Sequence, residues 1–341
     1  MNAQSTSALP IIDLDVFRSA SPQEVKSAAD ELLAALKTIG FVYIKNHGIP
    51  QPLVDEAFSW SARFFSLPLS EKMKAPHPPE GWHHRGYSSP GREKVTHQVF
   101  DQDSLASLRQ KAPDAKESFD IGREDDARMR NVWPPEDVMP GFRGFFAKFY
   151  RRCFELEDDI LSAIATCLDL DSGYFHRFHA GRENQLRLLC YPEVDAGRLQ
   201  RGEVERIGAH TDYGTMTFLF QDDVGGLEVE DPNNKGIFKP VPSIPGTVVL
   251  NIGDFLQRWS NDILKSTMHR VGVPPELAGA RRDTAGAAGV LRPRYSIPYF
   301  VGTDGHVTVD CIPGCYGPDR PKRYEPVNAR EYIDLRANAA Y

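Results

Sequence analysis

Three residues in the second half of the chain have the types and spacing of a metal site. His210 and Asp212 stand two residues apart in the β-rich segment GAHTDYGTMTFLF, and His269 lies in a second β-rich segment, STMHRV. On a strand, residues i and i+2 face the same side, so the imidazole and the carboxylate point in parallel. Two histidines and one carboxylate on strands predict a facial triad, which leaves positions open on Fe(II) for oxygenase chemistry.

A second pair has the same spacing. Arg294 and Ser296 lie in RPRYSIPYF, twenty-five residues after His269. Arginine offers a planar fork of donors for a carboxylate, and serine adds a hydroxyl. A lone arginine more often makes a surface ion pair. Beside an iron triad, however, an arginine suits a 2-oxo acid co-substrate. The 1-carboxylate and keto oxygen of that co-substrate chelate the metal, and the arginine holds its distal carboxylate. We therefore predict Fe(II), a 2-oxo acid and dioxygen as the reactants at this site.

Other classes of protein can carry the same residues. An oxidase that does not use a 2-oxo acid can hold a substrate carboxylate with the same clamp. A zinc hydrolase also uses two histidines and a carboxylate, although the sequence shows no HExxH helix or other general base beside them. A non-catalytic binding module can keep the barrel, but it usually loses a metal ligand, and here all three ligands and both clamp residues are present.

The elements that must position these residues are short strands. Beyond Glu183, β-rich segments alternate with Gly, Pro, Asp and Asn, a pattern that predicts an antiparallel sandwich or jelly roll. Upstream, the capping box Ser21-Pro22-Gln23-Glu24 predicts a helix that ends near Gly40, followed by a strand in GFVYIKNHGI. Two more helices are predicted, through QPLVDEAFSWSARFFSLP and over about 142–168.

Two segments are predicted to lie outside regular structure. Residues 75–92, APHPPEGWHHRGYSSPGR, are rich in Pro, Gly and His and form a long loop, in which His83 and His84 are expected to be solvated or lid residues. Residues 274–290, PPELAGARRDTAGAAGV, are expected to form a surface insertion between two strands.

At this point the sequence resembles a known family. HTD at 210–212, His269, RYS at 294–296 and the opening LPIIDLDVF…GFVYIKNHGI are similar to the iron(II)- and 2-oxoglutarate-dependent dioxygenases of the isopenicillin N synthase type. The resemblance implies a mixed α+β fold: a double-stranded β-helix, or distorted jelly roll, with N-terminal and flanking helices packed outside. It also implies an N-terminal region over 1–125, a helical region over 126–180 and a core over 181–341, together forming one compact unit.

Longer stretches resemble one subfamily. Residues 85–96, 113–125, 186–192, 210–222 and 258–271 are similar to fungal thymine 7-hydroxylases and related fungal natural-product dioxygenases. By this resemblance Tyr191 adds a hydroxyl to the 2-oxoglutarate site, and a pyrimidine is held by four residues: Asn184, Arg187, Tyr213 and Phe300. It further implies ascorbate as a supporting reductant. Arg187 also stands in an otherwise apolar strand, LRLLCY, where a buried guanidinium requires a partner.

The resemblance implies hydroxylation of a small molecule, with thymine or another pyrimidine base as the first expectation. The alternative substrate is a fungal secondary metabolite, such as a polyketide, terpenoid or aromatic compound, which the enzyme hydroxylates, desaturates or rearranges. Two departures from the thymine enzymes bear on this choice. The insertion at 274–290 is longer here, and a WHH sequence at 82–84 precedes the active-site loop.

Composition limits the remaining partners. Forty basic and forty-seven acidic residues give a net charge of −7, without a basic stripe, which argues against a nucleic-acid polymer. The sequence shows neither a signal peptide nor about eighteen consecutive apolar residues, so a cytoplasmic protein without a membrane partner is expected. Five cysteines without a CxxC motif predict reduced thiols. The sequence carries no signal for an oligomeric state.

Overall fold

Two main β-sheets, two short two-stranded sheets and the helices around them form the part of the chain that the computed structural model describes, namely residues 9–80, 82–92, 114–201, 203–274 and 289–340. The helices are α1 (Asp15–Ser19), α2 (Pro22–Thr38), α3 (Gln51–Phe65), α4 (Leu69–Lys72), α5 (Phe142–Cys167), α6 (Ala196–Gln200), α7 (Asp254–Trp259) and α8 (Ala329–Ala340). The strands are β1 (Ile11–Asp13), β2 (Phe41–Lys45), β3 (Gly86–Ser88), β4 (Glu117–Ile121), β5 (Gln185–Tyr191), β6 (Val194–Asp195), β7 (Ile207–His210), β8 (Met216–Gln221), β9 (Leu227–Glu230), β10 (Phe238–Pro240), β11 (Thr247–Ile252), β12 (His269–Val271), β13 (Val290–Leu291), β14 (Arg294–Val301), β15 (Thr308–Val309) and β16 (Val327–Asn328).

The two main sheets form a jelly roll. The large sheet has the strand order β1-β2-β11-β8-β14-β5-β4-β3, and the small sheet has the order β10-β9-β12-β7. Within the large sheet β1 pairs with β2 in parallel, and the other pairs are antiparallel. Residues from both sheets line one cavity, which therefore lies between them. The predicted mixed α+β jelly roll with packed helices is confirmed.

The large sheet presents one face to the helices and the other to the cavity. On β14, Ile297 and Tyr299 are fully buried, and the Tyr299 ring lies 5.3 Å from that of Tyr150 on α5. The alternate residues of β14 line the cavity: Arg294, Ser296, Pro298 and Phe300. This period-two alternation lets one strand serve both the hydrophobic core and the site.

The N-terminal helix begins as the capping box predicts. The Ser21 hydroxyl accepts a hydrogen bond from the Glu24 backbone N–H, and the Glu24 carboxylate accepts one from the Ser21 backbone N–H at 2.9 Å. Pro22 occupies the first helical position, where its missing N–H has no cost. The apolar side of α2 then packs on α5 and β2, so this helix closes the outer face of the large sheet.

The prediction that residues 75–92 contain no regular structure is wrong at β3. Gly86 takes φ of +76°, and a Cβ there would lie 2.8 Å from the Ala75 carbonyl oxygen, so only glycine fits this crossing. Tyr87 is 1% exposed, and its backbone bonds to Ala75 and His77 on one side while β3 pairs with β4 on the other. Pairing with β4 thus makes residues 86–88 a strand, although the composition of their segment is typical of a loop.

The predicted insertion at 274–290 lies mostly outside the described residues. Its last residue, Val290, belongs to β13, which pairs with β6, so the insertion ends one residue earlier than predicted. The boundaries predicted after residues 125 and 180 stay predictions, although β1 to β4 join the same sheet as the core strands.

All five cysteines are free thiols, as predicted, and four of them are buried. Within the described ranges, no helix combines the length and the apolar composition needed to cross a bilayer.

Candidate active site

The three predicted metal ligands come together on the small sheet. His210 ends β7, His269 begins β12, and the two are direct partners in the antiparallel pairing of these strands. Asp212 follows β7, and its Oδ1 lies 3.9 Å from His210 Nε2 and 3.7 Å from His269 Nε2. One ligand atom from each residue lies within 4.8 Å of the others. In the described part of the chain, this is the one group of His, Cys, Asp or Glu that is suited to hold a metal ion.

Hydrogen bonds orient each ligand atom toward the common point. The Nδ1 atoms of His210 and His269 lie 2.9 and 3.1 Å from the backbone carbonyls of Gly208 and Thr267, which leaves each Nε2 available to a metal ion. Burial, with the charge of His269 added, lowers the pKa of His210 to about 3, so its imidazole is neutral at physiological pH. Neutral imidazole is the form that binds metal.

The Asp212 carboxylate is fixed by two strands of the large sheet. Its Oδ2 accepts hydrogen bonds from Thr217 Oγ1 at 2.6 Å and from Asn251 Nδ2 at 2.7 Å, and Oδ1 remains directed toward the histidines. Thr217 and Asn251 are register partners on β8 and β11. Because Oδ2 is engaged by these two hydrogen bonds, Asp212 would offer Oδ1 to a metal ion held between it and the two histidines.

The predicted carboxylate clamp lies on the large sheet. Arg294 on β14 and Tyr191 on β5 are register partners, and the Arg294 guanidinium carbon lies 5.1 Å from the centre of the Tyr191 ring. Burial raises the pKa of Tyr191, while Arg294 and the adjacent Ser296 hydroxyl oppose that shift. Arg294 is 1% exposed, yet its Nε and Nη1 have no hydrogen-bond partner among the residues that the structure describes, and its Nη2 makes one long contact of 3.3 Å with Gln221. A buried arginine with unsatisfied donors fits a site for an anion from outside the chain.

All the predicted site residues line one cavity that is open to solvent. The residues that line it include His210, Asp212, His269, Tyr191, Arg294, Ser296, Asn184, Arg187, Tyr213 and Phe300.

Comparison with known families agrees with this geometry. The profile of the 2OG-Fe(II) oxygenase superfamily matches residues 182–303, which include the triad and the clamp. The profile of the N-terminal region of non-haem dioxygenases in morphine synthesis matches residues 9–136.

The chain belongs to the 2OG-Fe(II) oxygenase superfamily.

Similar proteins are 2-oxoglutarate-dependent enzymes of fungi. Proline hydroxylase buaE of Petromyces alliaceus is 39% identical over 332 residues, with 97% of this chain and 98% of that protein covered. The 2-oxoglutarate-dependent dioxygenase frbA of a Dothideomycetidae species is 38% identical, with 98% and 97% covered. Among solved structures, thymine 7-hydroxylase of Neurospora crassa with 2-oxoglutarate and thymine matches with a TM-score of 0.86 at 38% identity, covering 100% of this chain and 99% of that one. The protein is accordingly an Fe(II)- and 2-oxoglutarate-dependent oxygenase.

In this oxygenase the buried guanidinium of Arg187 has a charged partner inside the protein, as its apolar strand led us to expect: Asp120. Its Nε donates to Asp120 Oδ1 at 2.6 Å and its Nη2 to Asp120 Oδ2 at 3.1 Å, and both residues are buried. The two are register partners on β5 and β4. The Arg187 guanidinium carbon lies 6.0 Å from the centre of the Phe300 ring. Phe300 in turn pairs with Thr217, the donor to Asp212, so this end of β14 is the end nearer to the metal site.

Asn184 is held by bonds within the protein. Its Nδ2 donates to Glu157 Oε2 at 2.5 Å and to the Tyr299 hydroxyl at 2.8 Å, while its Oδ1 accepts from the Gly302 backbone N–H at 2.9 Å. Both amide hydrogens are therefore used, and the oxygen keeps one lone pair. The role of Asn184 in binding a pyrimidine stays a prediction, and only its Oδ1 can take part without breaking this network.

The C-terminal helix α8 and the loop around Trp82 and His84 border the far side of the cavity. Arg336 on α8 pairs with Asp254 at 2.6 Å, and its guanidinium carbon lies 4.6 Å from the centre of the Tyr213 ring. In the loop, Trp82 and His84 line the cavity, whereas His83 stacks on Trp82 with ring centres 5.3 Å apart. The expectation that His83 and His84 are solvated or lid residues stays a prediction.

Several residues that shape the site were not predicted. Asn251 carried a usable signal, since it is a lone amide in the apolar strand GTVVLNI. Thr217 and Asp120 gave no such signal, because their roles come from cross-strand register with residues distant in sequence. Arg336 lies 124 residues beyond Asp212, and the sequence does not indicate that its helix returns to the cavity.

Proposed function

We propose that His210, Asp212 and His269 bind the Fe(II) ion, and that Arg294 and Ser296 hold the distal carboxylate of 2-oxoglutarate. The orientation of both imidazoles, the neutral state of His210 and the hydrogen-bonded carboxylate support the first assignment. The unsatisfied guanidinium nitrogens of Arg294 support the second. When bound, iron and 2-oxoglutarate supply the oxidising chemistry, in which dioxygen converts 2-oxoglutarate to succinate and carbon dioxide and the substrate is oxidised.

Tyr191 completes the proposed co-substrate site. It is buried beside Arg294 and Ser296, and its hydroxyl is protonated at physiological pH because burial raises its pKa. A protonated phenol is a hydrogen-bond donor, so it adds a neutral donor to the positive charge of the arginine. The role of these residues is to bind and orient the co-substrate and to keep water from its distal end.

We propose a planar ring with carbonyl acceptors as the substrate, in the first place a pyrimidine base such as thymine. The observation that carries this proposal is that Arg187, Tyr213 and Phe300 line the same cavity as the triad. Two aromatic rings suit the faces of a flat ring, and a guanidinium suits its carbonyl edge. The Asp120 carboxylate fixes the direction of Arg187 through two hydrogen bonds. The thymine complex of the Neurospora enzyme supports the same substrate class.

A second candidate is a fungal secondary metabolite, including one with a proline or other amino-acid unit. One similar fungal protein is named a proline hydroxylase. The cavity also has charged residues of both signs that a free pyrimidine does not require: Arg330 lies 3.2 Å from Glu183, and Arg128 lies 2.7 Å from Asp334. Hydroxylation, desaturation and rearrangement are all open to such a substrate. In both cases the net charge of −7 favours a free small molecule over a nucleic-acid polymer.

The experiment that tests the substrate is succinate release by the Fe(II)-reconstituted protein with ascorbate, measured against thymine, uracil, free proline and a panel of aromatic and polyketide metabolites. Thymine should stimulate succinate formation and gain one oxygen atom in the mass of the product. Stimulation only by another compound contradicts the pyrimidine assignment and keeps the oxygenase chemistry.

Two variants test the assigned residues, and a third serves as their control. Asp212→Ala should abolish iron-dependent succinate formation, and retained activity would contradict the metal assignment. Arg187→Met should lose stimulation by the substrate while the protein still binds 2-oxoglutarate. Arg292→Met is the matched control, because Arg292 is exposed and pairs with Asp223 at the surface.

A further inference from the structure

A second arginine is buried beside the proposed carboxylate clamp. Arg206 lies immediately before β7, and its side chain is fully buried, with an exposure of 0%. Its Nη2 donates to the backbone carbonyl of Arg292 at 3.1 Å, so its guanidinium reaches the start of β14, two residues from Arg294. Residues around it, including Ile207, Tyr191 and Arg294, line the cavity.

Arg206 and Arg294 are two buried positive charges that lie close to each other. Burial lowers the pKa of Arg206 to about 10, and the positive charge of Arg294 adds to that effect. In the described part of the chain, Nε and Nη1 of Arg206 have no hydrogen-bond partner, and the same two atoms of Arg294 have none. Four donor nitrogens of two neighbouring buried cations are thus unsatisfied, which is costly unless an anion joins them.

Asp222 interacts electrostatically with both arginines, but it accepts no hydrogen bond from either guanidinium group among the described residues. Asp222 is itself engaged with the backbone: its Oδ2 accepts from the Tyr295 N–H at 2.6 Å and its Oδ1 from the Val224 N–H at 3.0 Å. A carboxylate from outside the chain has two oxygens, each with two lone pairs, and so matches four unsatisfied donors.

We propose that Arg206 is a second arginine of the co-substrate site, and that it acts with Arg294 to select a 2-oxo acid that carries a distal carboxylate. This inference rests on the proposed role of Arg294 and extends it to a residue outside the Arg-x-Ser pair. Arg294 at the cavity wall and Arg206 behind it make the site selective for a dicarboxylate, because a 2-oxo acid with an apolar tail leaves both guanidinium groups without an acceptor.

Binding without turnover tests this proposal. The probes are 2-oxoglutarate and 2-oxopentanoate, which have the same carbon chain and the same chelating end but differ in the distal carboxylate. Calorimetric titration of the Mn(II)-loaded protein in the absence of oxygen gives the two dissociation constants. In Arg206→Met the dissociation constant for 2-oxoglutarate should rise by about tenfold or more, while that for 2-oxopentanoate stays within about twofold.

Controls separate the possible outcomes. Arg294→Met should also lose the preference for 2-oxoglutarate; if it does not, the proposed clamp fails. If Arg294→Met loses the preference and Arg206→Met keeps it, the inference about Arg206 alone is refuted. Equal weakening of both ligands by Arg206→Met indicates a structural role and also overturns the proposal. Should Arg206→Met not fold, Arg206→Lys keeps the charge and should reduce the preference partially, and Arg292→Met should leave it unchanged.

Discussion

A buried carboxylic acid behind the cavity makes the stability of this oxygenase depend on pH. Glu157 on α5 is fully buried, and its Oε2 accepts the hydrogen bond from Asn184. Burial raises the pKa of Glu157 from 4.5 to about 8, although the charge of Arg182, which is 3.5 Å from Oε1, opposes this shift. At neutral pH the folded protein therefore keeps the proton that the unfolded chain loses.

The sign and size of the effect follow from this difference. A group whose pKa is raised by folding stabilises the folded state fully below its unfolded pKa of 4.5, and this contribution is lost as the pH rises to about 8. Each pH unit within that window costs about 1.4 kcal/mol. Between about pH 5 and about pH 7, Glu157 should thus remove about 2 to 3 kcal/mol from the free energy of unfolding.

The perturbation is Glu157→Gln, which keeps the shape of the side chain and cannot ionise. Urea unfolding of the wild type and the variant, at several pH values between about 5 and about 8, gives the difference in free energy of unfolding. As the pH rises from about 5 to about 7, the free energy of unfolding of the wild type should fall relative to that of the variant by about 2 to 3 kcal/mol. Glu155→Gln on the same helix is the control, since Glu155 is exposed and its ion pair with Arg152 is at the surface. A wild-type-minus-variant difference that stays constant with pH would refute the reasoning and show that Glu157 is ionised in the folded protein.

Three further perturbations have definite expected results. Thr217→Val removes one hydrogen bond from Asp212 and should weaken Fe(II) affinity by about 10- to 100-fold, which metal titration measures; unchanged affinity would contradict the orienting role. Asp120→Ala leaves the buried guanidinium of Arg187 without its carboxylate and should lower the free energy of unfolding by about 3 kcal/mol or more, as chemical denaturation measures. Arg336→Gln removes the ion pair that anchors the C-terminal helix, so hydrogen exchange of 329–336 should accelerate; equal exchange rates would show that other contacts anchor the helix.

The parts of the site that could be predicted are those encoded by short spacing. His210 with Asp212, and Arg294 with Ser296, share a face because each pair is two residues apart on an extended segment. The structure places each pair on one side of the cavity. The position of His269 does not follow from short spacing, because its place beside His210 depends on the pairing of β12 with β7.

Cross-strand register explains what the sequence did not predict. Asp120 becomes the partner of Arg187 only because β4 aligns with β5 at that position. The strand β3 was missed because its pairing with β4, not the composition of its own segment, makes it extended. Arg206 lies close to the metal motif in sequence, but its position near Arg294 arises from the hydrogen bond of its side chain to the Arg292 carbonyl, which is distant in sequence.

The alternation along β14 has a consequence for how enzymes of this kind diversify. Arg294 and Phe300 face the same cavity but are six residues apart, which corresponds to about 20 Å of extended chain. With the proposed roles of these two residues, a mutation at the Phe300 end would change which substrate is accepted and leave the co-substrate contact at the Arg294 end in place. One strand would then allow the substrate preference to change by mutation at one end while the co-substrate requirement is kept at the other.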